Sequence, residues 1–156
     1  MRLMKILLLS DTHGQDEIMF DLVKMYPNMD LYLHAGDSLS DEYFIHPFIS
    51  VKGNCDQYPF SELYRVFTPI GYLLMKHLPY FDAKSVSDNT ILIHGHTHKV
   101  KVNIDGDKIF LCPGSPNLPK DDTDGTYMIL DLREKESFVY IHDINSKNVL
   151  YTYKIR

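Results

Sequence analysis

Leu3 to Ser10 is apolar at every position except Lys5 and the closing serine, which predicts a strand buried on both faces. Ile18, Met19, Leu22, Val23 and Tyr26 then recur at helical spacing, and Pro27 ends that helix. Leu31 to Ala35 predicts a second strand running into Gly36-Asp37. A weakly patterned stretch, Leu39 to Pro47, reads as a short helix before a third strand at Phe48 to Lys52, which runs into Gly53-Asn54. Strand, helix, strand, helix, strand is the alternation of a parallel sheet with helical crossovers.

After residue 60 the pattern changes. Leu63 to Thr68 and Tyr72 to Lys76 flank Pro69-Ile70-Gly71 like the arms of a hairpin, and Thr90 to Ile93 predicts another buried strand. Val100 to Ile104 and Lys108 to Cys112 flank Asp105-Gly106, a pair that accepts positive φ and so favours a tight hairpin. Thr126 to Leu132, Phe138 to His142 and Val149 to Ile155 complete a meander. The chain thus passes from α/β into mostly antiparallel β. Two sheets packed face to face with helices outside accommodate both halves.

Composition narrows the class. At 156 residues with 44% hydrophobic and 24% charged positions, one folded domain spanning 1–156 is expected, with no repeat or linker to divide it. The net charge of −5 argues against a surface that coats nucleic acid. Two cysteines, Cys55 and Cys112, are too few for a disulfide scaffold. The opening MRLMKILLLS has a basic residue before a short apolar run, but no small-residue cleavage site follows. No segment is apolar enough for a membrane span. A cytoplasmic protein is expected.

The candidate chemistry lies at strand ends. Asp11 and His13 follow the first strand, Asp37 the second, Asn54 the third, His77 the Tyr72 to Lys76 strand, and His96 and His98 the Thr90 to Ile93 strand. Carboxyl ends of strands are where open α/β sheets place their sites. In extended chain, residues i and i+2 share a side, so Asp11 with His13, and His96 with His98, can each aim two ligands at one pocket. Gly36, Gly53 and Gly95 directly precede candidate ligands, where a missing Cβ lets the backbone turn and approach closely. Carboxylate, imidazole and amide oxygen suit borderline divalent ions, and seven ligands exceed what one tetrahedral ion needs. Two ions sharing a carboxylate would use them all.

Asp-Thr-His (11–13), Gly-Asp (36–37), Gly-Asn-Cys-Asp (53–56), His77 and Gly-His-Thr-His (95–98), in that order, resemble the calcineurin-like metallophosphoesterases, and within them the small bacterial and archaeal YfcE-type branch. Pro-Gly-Ser (113–115) and Pro119-Lys120 add to the likeness, which covers residues 3 to about 120 by motif. The resemblance implies a four-layer αββα sandwich of two mostly mixed β-sheets. It implies that Asp11, His13 and His98 hold one divalent ion, that Asn54, His77 and His96 hold another, and that Asp37 bridges them. Mn²⁺ leads the implied metals, with Ni²⁺, Zn²⁺, Fe²⁺ and Mg²⁺ as alternatives. The implied reaction is hydrolysis of a small phosphodiester by a hydroxide between the ions, with Asp37, Asn54, His96 and Cys55 in catalytic positions. Relatives often form dimers, so a homo-oligomer is an open expectation.

Two departures matter. Many relatives carry histidine where this chain has Cys55, and a thiol is a poor replacement for that leaving-group acid. Slow turnover or a preference for good leaving groups follows, unless Cys55 is simply a small buried spacer. Around His77 the usual Thr-His-Gly-His is replaced by Lys76-His77-Leu78-Pro79. Lys76 is then either a surface residue or one that reaches phosphate. His34 and His94 read as packed or supporting residues, and His46 and His142 as surface ones. Asp56 is either an orienting partner of a ligand or an acidic turn residue, and Asp121, Asp122 and Asp124 read as a solvated loop.

Two other functions compete. One is a phosphomonoesterase of the same fold. The other is a protein-binding scaffold, as the retromer protein of this fold is widely regarded to be, although all seven ligand positions here carry a coordinating side chain. The acidic net charge does not oppose a phosphorylated substrate, since two divalent ions would add +4 to the −5 of the chain.

Overall fold

A strand whose side chains are apolar on both faces needs something to pack against on each side. Leu3–Leu9 (β1) meets that need at the centre of a six-stranded sheet, in a computed structural model that describes residues 3–156. Met1 and Arg2, the start of the basic-then-apolar leader-like run, lie outside the described residues. On one face, Met4, Ile6 and Leu8 of β1 enter a core shared with the second sheet. On the other, Leu7 and Leu9 pack with Met19 and Leu22 of the helix Asp16–Met25 (α1). Burying each such side chain stabilises the fold by roughly 1.5–3 kcal/mol. Asp16 and Glu17 at the start of α1 and Lys24 at its end complement the helix dipole, and Pro27 lies just beyond it.

The first sheet runs Val149–Lys154 (β11), Phe138–Asp143 (β10), Thr126–Arg133 (β9), β1, Leu31–His34 (β2), Ile49–Ser50 (β3). β1, β2 and β3 are parallel, whereas β9, β10 and β11 are the expected antiparallel meander. The expected third strand over Phe48 to Lys52 shrinks to two residues. Lys52 N leaves the sheet and donates to Ser61 O at 2.9 Å, so the chain is already turning toward Gly53. A single helical turn, Glu42–Ile45 (α2), precedes it.

The second sheet runs Tyr64–Thr68 (β4), Gly71–Met75 (β5), Ile91–Ile93 (β6), Lys108–Pro113 (β8), Val100–Asp105 (β7). Its middle strands β5, β6 and β8 are parallel, which the hairpin pattern did not foretell, although the second half of the chain as a whole is mostly antiparallel as expected. The hairpin partners β4 and β7 are the antiparallel edges. Leu73, Met75, Ile91, Ile93, Ile109 and Leu111 meet Leu8, Leu33 and Val51 across the interface between the sheets. Ala83–Asp88 (α3), unforeseen from hydrophobic pattern because it buries no residue, starts where Asp82 Oδ1 accepts from Ser85 N at 2.7 Å. The architecture is the expected αββα sandwich of two mixed sheets, with α3 contributing little to the core.

Candidate metal centre

The carboxyl ends of β1, β2, β3, β5 and β6 meet at one edge of the sandwich, and the loops leaving them carry all seven candidate ligands. The pairing of β1 with β2 continues beyond both strands, with Asp11 N donating to Gly36 O, His13 N to Asp37 O and Gly14 N to Ser38 O. The local geometry differs from the extended chain expected of Asp11–His13 and His96–His98. Asp11, His13, Asp37, His96 and His98 have φ of 56, 43, 63, 73 and 60°. For non-glycine residues this left-handed region costs roughly 1–2 kcal/mol each. The side chains of each pair converge because the backbone turns tightly at both residues, not because they share a strand face.

Close approach explains the glycines. A Cβ on Gly53 would lie 2.0 Å from Asp37 Oδ1, and one on Gly95 would lie 2.1 Å from Ser10 Oγ and 2.9 Å from Asp11 Oδ2. Each carboxylate is thereby held with one oxygen bound to protein and the other turned toward the histidines. Asp11 Oδ2 accepts from Ser10 Oγ (2.5 Å) and His96 N (3.0 Å). Its Oδ1 has no partner and lies 3.4 Å from His98 Nε2, 3.9 Å from His13 Nε2 and 4.0 Å from His77 Nε2. Asp37 Oδ1 accepts from Cys55 N (2.8 Å), and Oδ2 lies 3.2 Å from His77 Nε2 and 3.9 Å from His13 Nε2. Asn54 Oδ1 lies 2.9 Å from His77 Nε2 and 3.1 Å from His96 Nδ1.

Two groups result, Asp11 with His13 and His98, and Asp37 with His77 and His96, the ligand atoms of each lying within 4.8 Å of one another. These donor sets fit divalent cations. His77 Nδ1 donates to Ala35 O (2.7 Å) and His98 Nδ1 to Leu118 O (2.6 Å), so each ring, when it is in its neutral form, turns its Nε2 lone pair inward. Those lone pairs face carboxylate and amide oxygens. Asp11 Oδ1 and His13 Nε2 are buried with no hydrogen-bond partner. A cation satisfies all of these acceptors at once. Burial raises the Asp11 carboxyl above its ordinary value, against the pull of Ser10 and the histidines. Burial would also raise Asp37, but the hydrogen bonds from His77 and Cys55 N hold it at about 2. Burial acts to lower His77, and the bonds to Asp37 and Ala35 outweigh it, so its pKa rises.

A supporting layer holds these loops. Asp56, buried, accepts from Asp37 N (2.9 Å) and Gly53 N (2.7 Å) on Oδ2 and from Leu39 N (3.0 Å) on Oδ1. It is the orienting partner rather than an acidic turn residue. His34 is fully buried, with Nε2 2.9 Å from Thr12 Oγ1 and Nδ1 accepting from Gly36 N at 3.1 Å. His94 Nδ1 donates to Gly95 O (2.8 Å). Ser10 was missed as a support, although a hydroxyl directly preceding a strand-end aspartate is a readable signal. Ser115 Oγ donates to Asp11 O (2.8 Å) and Asn117 Nδ2 to Thr12 O (3.1 Å); the sequence marked the 113–115 motif but not these contacts.

Other expectations change. Cys55 is exposed, which removes the buried-spacer reading. His46 is exposed as expected, but His142 is half-buried and stacks on Tyr127 with ring centres 4.8 Å apart. Asp121 is no free surface group, for it accepts from Val100 N (2.8 Å) and from Thr123. Among the described residues no helix is long and apolar enough to cross a membrane.

The calcineurin-like phosphoesterase superfamily domain matches residues 4–135. The chain belongs to that superfamily. Among its phosphoesterase relatives, the probable metallophosphoesterase YsnB of Bacillus subtilis is 27% identical over 155 residues, covering 90% of this chain and 91% of YsnB. A probable metallophosphoesterase of Methanothermobacter thermautotrophicus is 30% identical over 147 residues, covering 81% of this chain and 85% of its own. A solved predicted phosphoesterase from Streptococcus pneumoniae shares the fold with a TM-score of 0.85 and 22% identity over 99% of both chains. The phosphoesterase YfcE of E. coli matches at 0.77 and 21%, covering 98% of this chain and 100% of YfcE. Vps29 of Entamoeba histolytica, solved with Zn²⁺, matches at 0.74 and 21% with the same coverages. These likenesses agree in fold and length with the small-protein branch that its motifs resemble. The superfamily supports hydrolase activity, and the two His/Asp groups point to divalent metal binding.

Proposed function

We propose that this chain is a dimetal phosphodiesterase acting on small phosphodiesters. The observation that carries the reading is the pair of three-residue groups whose unpartnered atoms, Asp11 Oδ1 and His13 Nε2, face the shared space beside Asp37. Asp11, His13 and His98 would hold one ion, Asn54, His77 and His96 the other, and Asp37 both. The mixture of carboxylate, imidazole and amide oxygen suits borderline divalent ions such as Mn²⁺, Zn²⁺ or Fe²⁺, with Mn²⁺ taken first from the family resemblance. Ions bound there supply positive charge for phosphoryl oxygens and lower the pKa of bound water. The protein's part is to fix geometry: Ala35 O and Leu118 O set the ring orientations of His77 and His98, and Asp56 holds the Asp37 and Gly53 loops together. Cys55 keeps its proton near neutral pH, because the desolvation it does feel and then the Asp37 charge push its thiol up. A thiol so placed protonates a leaving group poorly, so esters of acidic alcohols suit this site best.

Two openings favour a diester over a monoester. A trough of about 460 Å³ lies on the Cys55, Leu118 and Lys120 side and a cleft of about 380 Å³ on the Lys76 and Leu78 side, and Asn54 borders both. The test is hydrolysis of bis-p-nitrophenyl phosphate by protein reconstituted with Mn²⁺ or Ni²⁺, compared with p-nitrophenyl phosphate at equal metal loading. The diester should be the better substrate, chelator should abolish cleavage, and Asp37→Ala should lower it by at least about a hundredfold. A faster monoester rate would favour the phosphomonoesterase. Absence of cleavage with neither ester turned over would favour the scaffold.

A further inference from the structure

The cleft beside the metal centre has a chemistry of its own. Its walls include Lys52, Asn54, Glu62, Lys76, His77 and Leu78. Asn54 and His77 also belong to the metal centre, so a group filling the cleft lies next to whatever is bound there. Among the described residues the only lysine in an ion pair is Lys154, with Glu136, so Lys52 and Lys76 face the cleft without a bound carboxylate. Lys76 Nζ donates to Tyr80 O at 2.5 Å and lies 5.6 Å from the centre of the Phe81 ring. An ammonium has three N–H donors, so two remain for a ligand. Because its long side chain is already anchored, less rotamer freedom is lost on binding.

Carboxylates lie near this pair, and the Ser85 N–H, helped by the Lys76 charge, holds Asp82 below its ordinary value, but those at the wall and at the start of α3 are engaged by backbone donors rather than by the lysines. Asp56, at the cleft wall, has both oxygens bound to backbone N–H groups, and Asp82 Oδ1 is bound to Ser85 N at the start of α3. Lys52 and Lys76 are matched in formal charge by Asp56 and Glu62, so what the walls offer a phosphate is two ammonium groups with donors to spare rather than an excess of positive charge. The opposite trough differs, with Leu118, Pro119 and Cys55 beside the single cation Lys120. A diester spanning the centre would therefore send its two arms into unlike surroundings.

We propose that Lys52 and Lys76 select phosphodiesters in which one ester arm carries a second, terminal phosphate, and that this phosphate lies in the cleft they flank. The inference rests on the phosphodiesterase reading above and names its substrate class.

Calorimetric binding to the Mn²⁺-loaded protein tests it without relying on turnover. Thymidine 3′,5′-bisphosphate should bind about five- to tenfold more tightly than thymidine 5′-monophosphate, the gain of a charge-assisted bond in a half-exposed site. Lys76→Ala and Lys52→Ala should each shrink that ratio, and together bring it near one, while Lys154→Ala, an equal charge change on β11, should keep it. Equal affinities in the unmutated protein, or a ratio unchanged in the double variant, would overturn the proposal. Hydrolysis of p-nitrophenyl thymidine 5′-phosphate with and without a 3′-phosphate separates the two readings. If neither ester is cleaved but the binding ratio holds, the phosphodiesterase reading fails and the anion cleft stands. If both are cleaved equally and the ratio is one, the cleft fails and the phosphodiesterase stands.

Discussion

His34 has an acceptor's role on one nitrogen and a donor's on the other. Gly36 N–H points at Nδ1, so the ring hydrogen sits on Nε2 and is directed at Thr12 Oγ1. A second proton on Nδ1 would face the Gly36 N–H in a fully buried site, with the Ser50 hydroxyl 3.3 Å away as its nearest acceptor. Burial, followed by repulsion from His77, accordingly lowers the pKa to about 3. The unfolded chain takes up this proton near 6.5, so between 6.5 and about 3 it binds a proton that the folded chain refuses. Stability from this group is therefore fully present above pH 6.5 and is lost as pH falls, by up to about 1.4 kcal/mol per pH unit. Urea midpoints at pH 7 and pH 5 should show the unmutated protein losing about 2 kcal/mol more than His34→Gln over that interval. Equal losses would mean that the ring accepts a proton in the folded state.

At the scale of elements, the strand ends and the loops leaving them decide the site. Gly53→Ala would force Asp37 Oδ1, 2.0 Å from the new Cβ, and Asp37 N, 2.5 Å away, to move. A displacement of that size at the carboxylate proposed to bridge the ions should lower kcat/KM by about a hundredfold while the fold survives. Gly106→Ala, in the β7–β8 turn with open space around it, should cost about 1 kcal/mol of stability from its φ of 61° and leave activity unchanged. Thermal melts and initial rates on both variants check the contrast; equal activity loss in the two would refute the close-approach account. Strand positions were legible because Leu3 to Leu9 and Ile91 to Ile93 are continuously apolar, and the polar residues after them stand out. The parallel order of β5, β6 and β8 was not legible, since pairing between strands distant in sequence leaves no periodicity along the chain. Nor were the left-handed turns at Asp11, His13, His96 and His98, which tertiary contacts impose on residues that would not choose them alone.

For the molecule as a whole, a net charge of −5 and two buried aspartates facing histidines make a fold that divalent cations should stabilise. An ion at a hundred times its Kd adds about 2.7 kcal/mol, which for a chain of this size raises Tm by roughly 5–10 °C. The sign of the pH dependence follows from His77, whose folded pKa lies above its ordinary value of 6.5. In the metal-free protein the protonated ring beside Asp37 contributes stability that is fully present below 6.5 and is lost as pH rises through the raised pKa. A cation needs the same Nε2 lone pair, so it competes with that proton and gains where the proton's contribution fades. The Tm increment on adding Mn²⁺ should therefore be larger at pH 8 than at pH 6, and chelator should reverse it at both. Asp37→Ala should remove most of the increment and its pH dependence, because it takes away the carboxylate that both holds the proton on His77 and faces the two groups. An increment independent of pH, or retained in Asp37→Ala, would place the stabilising cation elsewhere on the molecule.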